Sequence, residues 1–142
     1  LFVFPGGAGA TLPLVALLLR SRVPRLRKFA YAVILPSLVN VNEPVMFGLP
    51  IVYNPVLGIP FVLAPLALVC TTYAALALGL VRAPVYYVPS TLPLFVNVVL
   101  ATFDWRSCVL IVVNLAIAGA IYLPFVRMYE RVETRRAAAD VA

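Results

Sequence analysis

The stretch NVNEPVMFGLP, Asn40 to Pro50, holds the residues best suited to chemistry. It sets two amides, Asn40 and Asn42, beside the carboxylate of Glu43 in an otherwise strongly apolar chain. Glu43 is the only acidic residue before Asp104. A carboxylate inside a membrane segment is expensive and marks a functional site by default. Pro44 biases Glu43 towards extended backbone, so the carboxylate is expected at a break in helix. Amides and a carboxylate together satisfy hydroxyls that both donate and accept, which is what a sugar demands. The same oxygens would suit a cation, and they would equally cap or bridge broken helix ends. In extended backbone Asn40 and Asn42 face one way and Glu43 the other. In backbone helical up to Asn40, Asn40 and Glu43 share a face. The residues alone do not choose between these.

Other chemistries are excluded. The chain has no histidine, which removes His-centred acid–base catalysis, His phosphorylation and His-ligated metal within it. Cys70 and Cys108 lie in apolar runs and read as small buried hydrophobes rather than a redox pair. No cysteine–carboxylate cluster has metal-ligand spacing, so neither metal nor cofactor is expected. Gly6, Gly7 and Gly9 are not followed by the GK[ST] of a phosphate loop. They permit close backbone approach or an unwound segment instead. Asn54 and Asn114 read as packing or helix-bridging residues, and Thr71, Thr72 and Tyr73 as helix-bonding ones.

The elements that position Glu43 follow from composition. Of 142 residues, 64% are hydrophobic and 11% charged, with a mean hydropathy of +1.07. Soluble domains are about 45–50% apolar and about 25% charged, so the expected solvent is lipid. The fold class is therefore an all-α membrane protein. The net charge of +6 comes largely from two clusters, Arg20–Lys28 and Arg127–Arg136, which flank apolar segments as cytoplasmic loops do. That placement argues against a nucleic-acid partner. Full crossings are expected over about 61–81 and about 108–126. Pro36, Pro44 and Pro50 break the region before the first crossing, and Pro84, Pro89 and Pro93 the region between the two. Both basic clusters reach one side only if 29–50 and 84–103 go in and come back. The chain thus divides into a glycine-rich start and first helix (1–28), a re-entrant segment (29–55) and a transmembrane helix (56–82). A second re-entrant segment (83–104) follows, then a transmembrane helix with a cytoplasmic tail (105–142). In FDWR, Asp104, Trp105 and Arg106 read as an interface anchor. Leu1 stands where a start methionine would, and no basic n-region precedes the first apolar run, so the sequence reads as part of something longer.

The runs GGAGATLPL, NVNEPVMFGLPIVYNPVLGIPFVLAPL, LATFDWR and PFVRMYE resemble the C-terminal part of enzyme IIC, the membrane permease of the sugar phosphotransferase system. The resemblance is to its lactose/cellobiose/N,N′-diacetylchitobiose branch and runs through nearly the whole chain. It implies a dimeric, multi-pass protein of the bacterial inner membrane with a cytoplasmic C-terminus. Such a permease binds a disaccharide in a pocket built partly from re-entrant hairpins, moves it by an elevator-like shift, and has it phosphorylated by a cytoplasmic IIB partner. By this match Glu43 contacts the hydroxyl that receives phosphate and serves as the catalytic carboxylate. Asn42, Asn40 and Thr91 join it as substrate-binding residues. The family's histidine lies upstream of this segment. Its PWTTPP stretch reads PSTLPL here, with Ser90 in place of tryptophan and Leu92 in place of a threonine, while Asn97 replaces a small residue. The expected function is uptake of a β-linked disaccharide coupled to its phosphorylation, with these 142 residues inactive alone. The alternatives are an ion-coupled transporter or channel module using Glu43, and a non-functional remnant.

Overall fold

A computed structural model describes residues 2–141; Leu1 and Ala142, the outer ends of the first and last predicted segments, lie outside it. The described residues form helices and no strand: α1 (Thr11–Leu19), α2 (Pro24–Leu38), α3 (Glu43–Gly48), a 3₁₀ turn (Ile51–Tyr53), α4 (Pro55–Ala77), α5 (Leu94–Thr102) and α6 (Arg106–Val141). α4, with 23 residues, and α6, with 36, are long and apolar enough to cross a membrane. At 1.5 Å per residue they measure about 34 and about 54 Å, against roughly 30 Å of hydrocarbon. α1 and α5 have 9 residues each, half a crossing at most. Only 28% and 33% of the most apolar windows of α4 and α6 are buried, so most of that surface faces outward, as in Leu66, Val69, Val112 and Val113.

Each helix stops for a local reason. α2 ends in a Schellman turn: the Val41 N–H bonds the Pro36 carbonyl at 3.0 Å and the Asn40 N–H bonds Ser37 at 3.2 Å. This needs a left-handed residue after the cap, and Asn40 supplies it at φ 60°. α4 ends the same way on Gly79 at φ 67°, with the Leu80 N–H on the Ala75 carbonyl at 3.0 Å. Asn54 caps α4 through the Val56 N–H, and Asp104 accepts from the Arg106 N–H at the start of α6, both at 3.0 Å.

Proline breaks the chain less than the sequence implies. α2 carries Pro36 in its last turn, α4 runs through Pro60 and Pro65, and α6 through Pro124. The 61–81 crossing therefore starts earlier, at Pro55, where a proline opens a helix without losing a bond. Each internal proline removes one i→i−4 bond, which a helix packed among others tolerates. The longest breaks lie at residues 2–10 and 78–93, with shorter ones at 20–23, 39–42, 49–54 and 103–105. The first predicted re-entrant segment is a long helix and a short one around a turn, and α2 already begins inside the first basic cluster. The second is an irregular strand of chain that returns along α5, with the Val85 N–H on the Ala101 carbonyl at 3.0 Å.

α4 packs on α6, and α1 on both α2 and α6. Leu14, Leu18, Ile51, Leu57, Leu68 and Tyr122 fill the main core. A second cluster joins Phe2, Leu94, Val98 and Ile111 beneath α5. Two polar links cross these layers. Asn114, fully buried, donates from Nδ2 to the Phe2 carbonyl at 3.0 Å and to Thr72 Oγ1 at 3.1 Å. Tyr122, also fully buried, donates from its hydroxyl to the Gly9 carbonyl at 2.6 Å. Thr71 bonds its own helix at Ala67, whereas Tyr73 is exposed.

The two links differ in one respect. Asn114 Oδ1 is itself without a partner among the described residues, so Asn114→Leu removes an orphaned acceptor along with two donated bonds. Tyr122→Phe removes a satisfied bond and strands the Gly9 carbonyl. Tyr122→Phe is expected to destabilise the fold by about 1 kcal/mol and Asn114→Leu by at least as much, because it loses two donated bonds and strands the Phe2 carbonyl, read from denaturant titration in detergent micelles. The opposite order would contradict this assignment.

Candidate functional site

Three irregular segments converge: the glycine-rich start, the turn between α2 and α3, and the chain before α5. Side-chain amides hold them together. Asn40 Oδ1 accepts from the Gly6 N–H at 3.0 Å, and its Nδ2 donates to the Ser90 carbonyl at 2.9 Å. Asn42 Nδ2 donates to the Ala8 carbonyl at 2.7 Å. Asn97, on α5, donates from Nδ2 to the Pro89 carbonyl at 2.8 Å. Two asparagines from separate elements thus grip consecutive carbonyls of one loop. Thr11 Oγ1 adds a bond to the Gly6 carbonyl at 2.7 Å. Gly7 lies at φ 93°, and a Cβ there would sit 2.7 Å from Asn42 Cγ, so only glycine lets the turn approach this closely.

Beside this junction lies a cleft of about 600 Å³. Phe4, Tyr86 and Tyr87 give it aromatic walls, and Asn40, Ser90 and Asn97 line it with polar groups. Tyr86 is braced edge-on by Phe103, with ring centroids 5.6 Å apart. Asn97 is 2% exposed and its Oδ1 has no partner among the described residues. Aromatic faces next to amides suit a ligand with an apolar ring face and a rim of hydroxyls.

The four residues singled out from sequence take separate positions. Asn40 lines the cleft. Asn42 is buried at 6% exposure and has its amide committed to Ala8. Glu43 is the first residue of α3 and is exposed, where its charge complements the helix dipole. Its carboxylate makes no hydrogen bond or ion pair among the described residues, and it does not line the cleft. Thr91 is exposed beside Ser90 and lies outside the cleft lining. The backbone at Asn40 is neither extended nor helical but left-handed, and so matches neither arrangement considered from sequence. Bridging of broken ends, one of the readings of this stretch, describes what the two asparagine amides do. Sequence reasoning missed the aromatic walls. A tyrosine pair between Pro84 and Pro89, in a segment too broken for a helix, was the available signal.

Comparison with known proteins gives this site a context. The family described as "Phosphotransferase system, EIIC" matches residues 2–65. The chain is 42% identical over 134 residues to the "PTS system cellobiose-specific EIIC component" of Lactococcus lactis subsp. lactis (strain IL1403), covering 93% of this chain and 27% of the relative. It is 35% identical over 127 residues to the "PTS system lactose-specific EIICB component" of Lacticaseibacillus casei, covering 88% of this chain and 22% of the relative. Among solved structures it superposes on the transporter ChbC, the IIC component from the N,N′-diacetylchitobiose-specific phosphotransferase system, with a TM-score of 0.94 and 36% identity, covering 97% of this chain and 33% of ChbC. The chain spans no more than about a third of the length of these proteins. Over that third the chain matches enzyme IIC components of the phosphotransferase system in both sequence and fold.

Proposed function

We propose that this chain is part of the sugar-binding and translocating body of a bacterial inner-membrane permease. The permease takes up a β-linked disaccharide and delivers it to a cytoplasmic, phosphorylated IIB partner. The observation that carries this is the convergence of three broken segments on a cleft with aromatic walls and amide groups. Irregular backbone at membrane depth is tolerated only where it is buried in protein or lines a wet cavity. The similar proteins are named for cellobiose, lactose and N,N′-diacetylchitobiose, all built from β-linked sugar rings. One of them carries the B component in its name alongside IIC, which supports a IIB partner.

In this reading the sugar packs against Tyr86 and Tyr87 and meets the amides of Asn40 and Asn97. Asn42 acts through the backbone it fixes, and Thr91 flanks the entrance. Glu43 presents its carboxylate from the start of α3 to the hydroxyl that receives phosphate, orients it and takes its proton as transfer proceeds. In this reading the C-terminus is cytoplasmic, α4 crosses outward and α6 returns, an orientation that the two basic clusters support. The complete permease works as a homodimer surrounded by lipid.

Two outcomes follow. In a complete permease carrying this segment, Glu43→Gln lowers sugar phosphorylation by phospho-IIB by about 10²–10⁴-fold, measured with radiolabelled cellobiose in inverted vesicles; an undiminished rate would remove Glu43 from the mechanism. The 142-residue chain expressed alone gives no cellobiose uptake, and co-expression with the missing permease helices restores it. Uptake by the chain alone would refute the proposal.

A further inference from the structure

The two basic clusters, more than a hundred residues apart in sequence, meet in one groove. Arg20 follows the end of α1 and Arg22 lies in the turn to α2. Arg127, Arg131 and Arg135 repeat every four residues along α6 and therefore share a face. These five arginines border a groove of about 850 Å³ with a single carboxylate, Glu130, on its wall. None of the five forms an ion pair among the described residues. Arg25 and Arg136 are the ones that pair, both with Glu133 at 3.6 Å, outside this groove.

The groove changes character along the helix axes. Leu17 precedes Arg20 by one turn of α1, and Leu123 precedes Arg127 by one turn of α6. Both helices switch from aliphatic to guanidinium along this groove, and Val126 of α6 adds to its apolar lining. A soluble anion or a nucleic acid would use only the guanidiniums. A ligand with phosphate at one end and hydrocarbon directly attached uses both parts.

We propose that this groove is a binding site for an anionic phospholipid, with the phosphate gripped by the arginine forks and the upper acyl chain against Leu17, Leu123 and Val126. Arginine suits this role because its planar fork bonds two phosphate oxygens at once. Basic pockets between membrane helices at the interface bind headgroups in this way. Seating a lipid here ties α1 and the α1–α2 turn to α6 and neutralises repulsion among unpaired arginines. The inference does not rest on the sugar reading, because it uses none of the cleft residues.

The test is lipid retention after reconstituting the full 142-residue chain into nanodiscs of phosphatidylglycerol and phosphatidylcholine, read by native mass spectrometry. Wild type should retain phosphatidylglycerol selectively. Arg131→Gln/Arg135→Gln should lose that selectivity by about thirtyfold while its helical circular dichroism is unchanged, and Arg131→Lys/Arg135→Lys should retain part of it. Equal retention of the two lipids, or wild-type selectivity in the double glutamine variant, would overturn the proposal. So would displacement of the lipid by millimolar inorganic phosphate, which would mark a site for a free anion.

Discussion

A membrane-embedded chain must pair its own backbone polar groups, and proline makes that harder in one direction only. Each of the 13 prolines here removes an N–H donor and leaves every carbonyl in place. The broken segments therefore carry a surplus of acceptors. The side-chain bonds that join them are, with one exception, donations to carbonyls: to Phe2 from Asn114, Gly6 from Thr11, Ala8 from Asn42, Gly9 from Tyr122, Pro89 from Asn97 and Ser90 from Asn40. The exception is the Gly6 N–H, which finds Asn40 Oδ1. The leftovers fit the same account. Two of the three buried polar atoms without partners among the described residues are amide oxygens, Asn97 Oδ1 and Asn114 Oδ1, on side chains recruited for their donors. Ser107 Oγ is the third, and nothing in the structure explains it.

This constraint links fold to function. A continuous helix satisfies its backbone internally and offers a ligand only side chains. A junction of broken ends needs polar side chains close together, and the same chemistry that satisfies carbonyls satisfies sugar hydroxyls. The short helices α1 and α5 begin at this junction and do not cross. The long helices α4 and α6 supply the apolar wall on which it is mounted. Asn40 serves both purposes, since it turns the chain, ties two loops and lines the cleft.

Much of this was legible in the sequence, and the rest failed for definable reasons. Apolar composition and the two long runs located α4 and α6, because length and hydropathy are sufficient signals for such helices. The bridging role of Asn114 followed from a single polar residue in apolar surroundings, whereas Asn54 caps α4 where packing or bridging was expected. Proline misled at Pro36 and Pro60, which sit inside α2 and α4, since its cost there depends on neighbours that sequence does not show, whereas Pro65 and Pro124 lie within the crossings already expected. The partners of Asn40 and Asn42 were not readable because they lie about 35 to 50 residues away, in glycine- and proline-rich chain with no periodicity. Tyr86 and Tyr87 gave no periodic pattern for the same reason, and only their pairing between Pro84 and Pro89 marked them.

The most direct measurement of the central claim is backbone amide exchange in Asn40→Gly. Glycine keeps the left-handed turn that ends α2 and deletes only the amide. Asn40→Gly should sharply accelerate exchange at the Gly6 N–H and loosen residues 84–90, while α4 and α6 stay protected. Unchanged protection at Gly6 would show that the broken segments are held by something other than the side-chain amides described here.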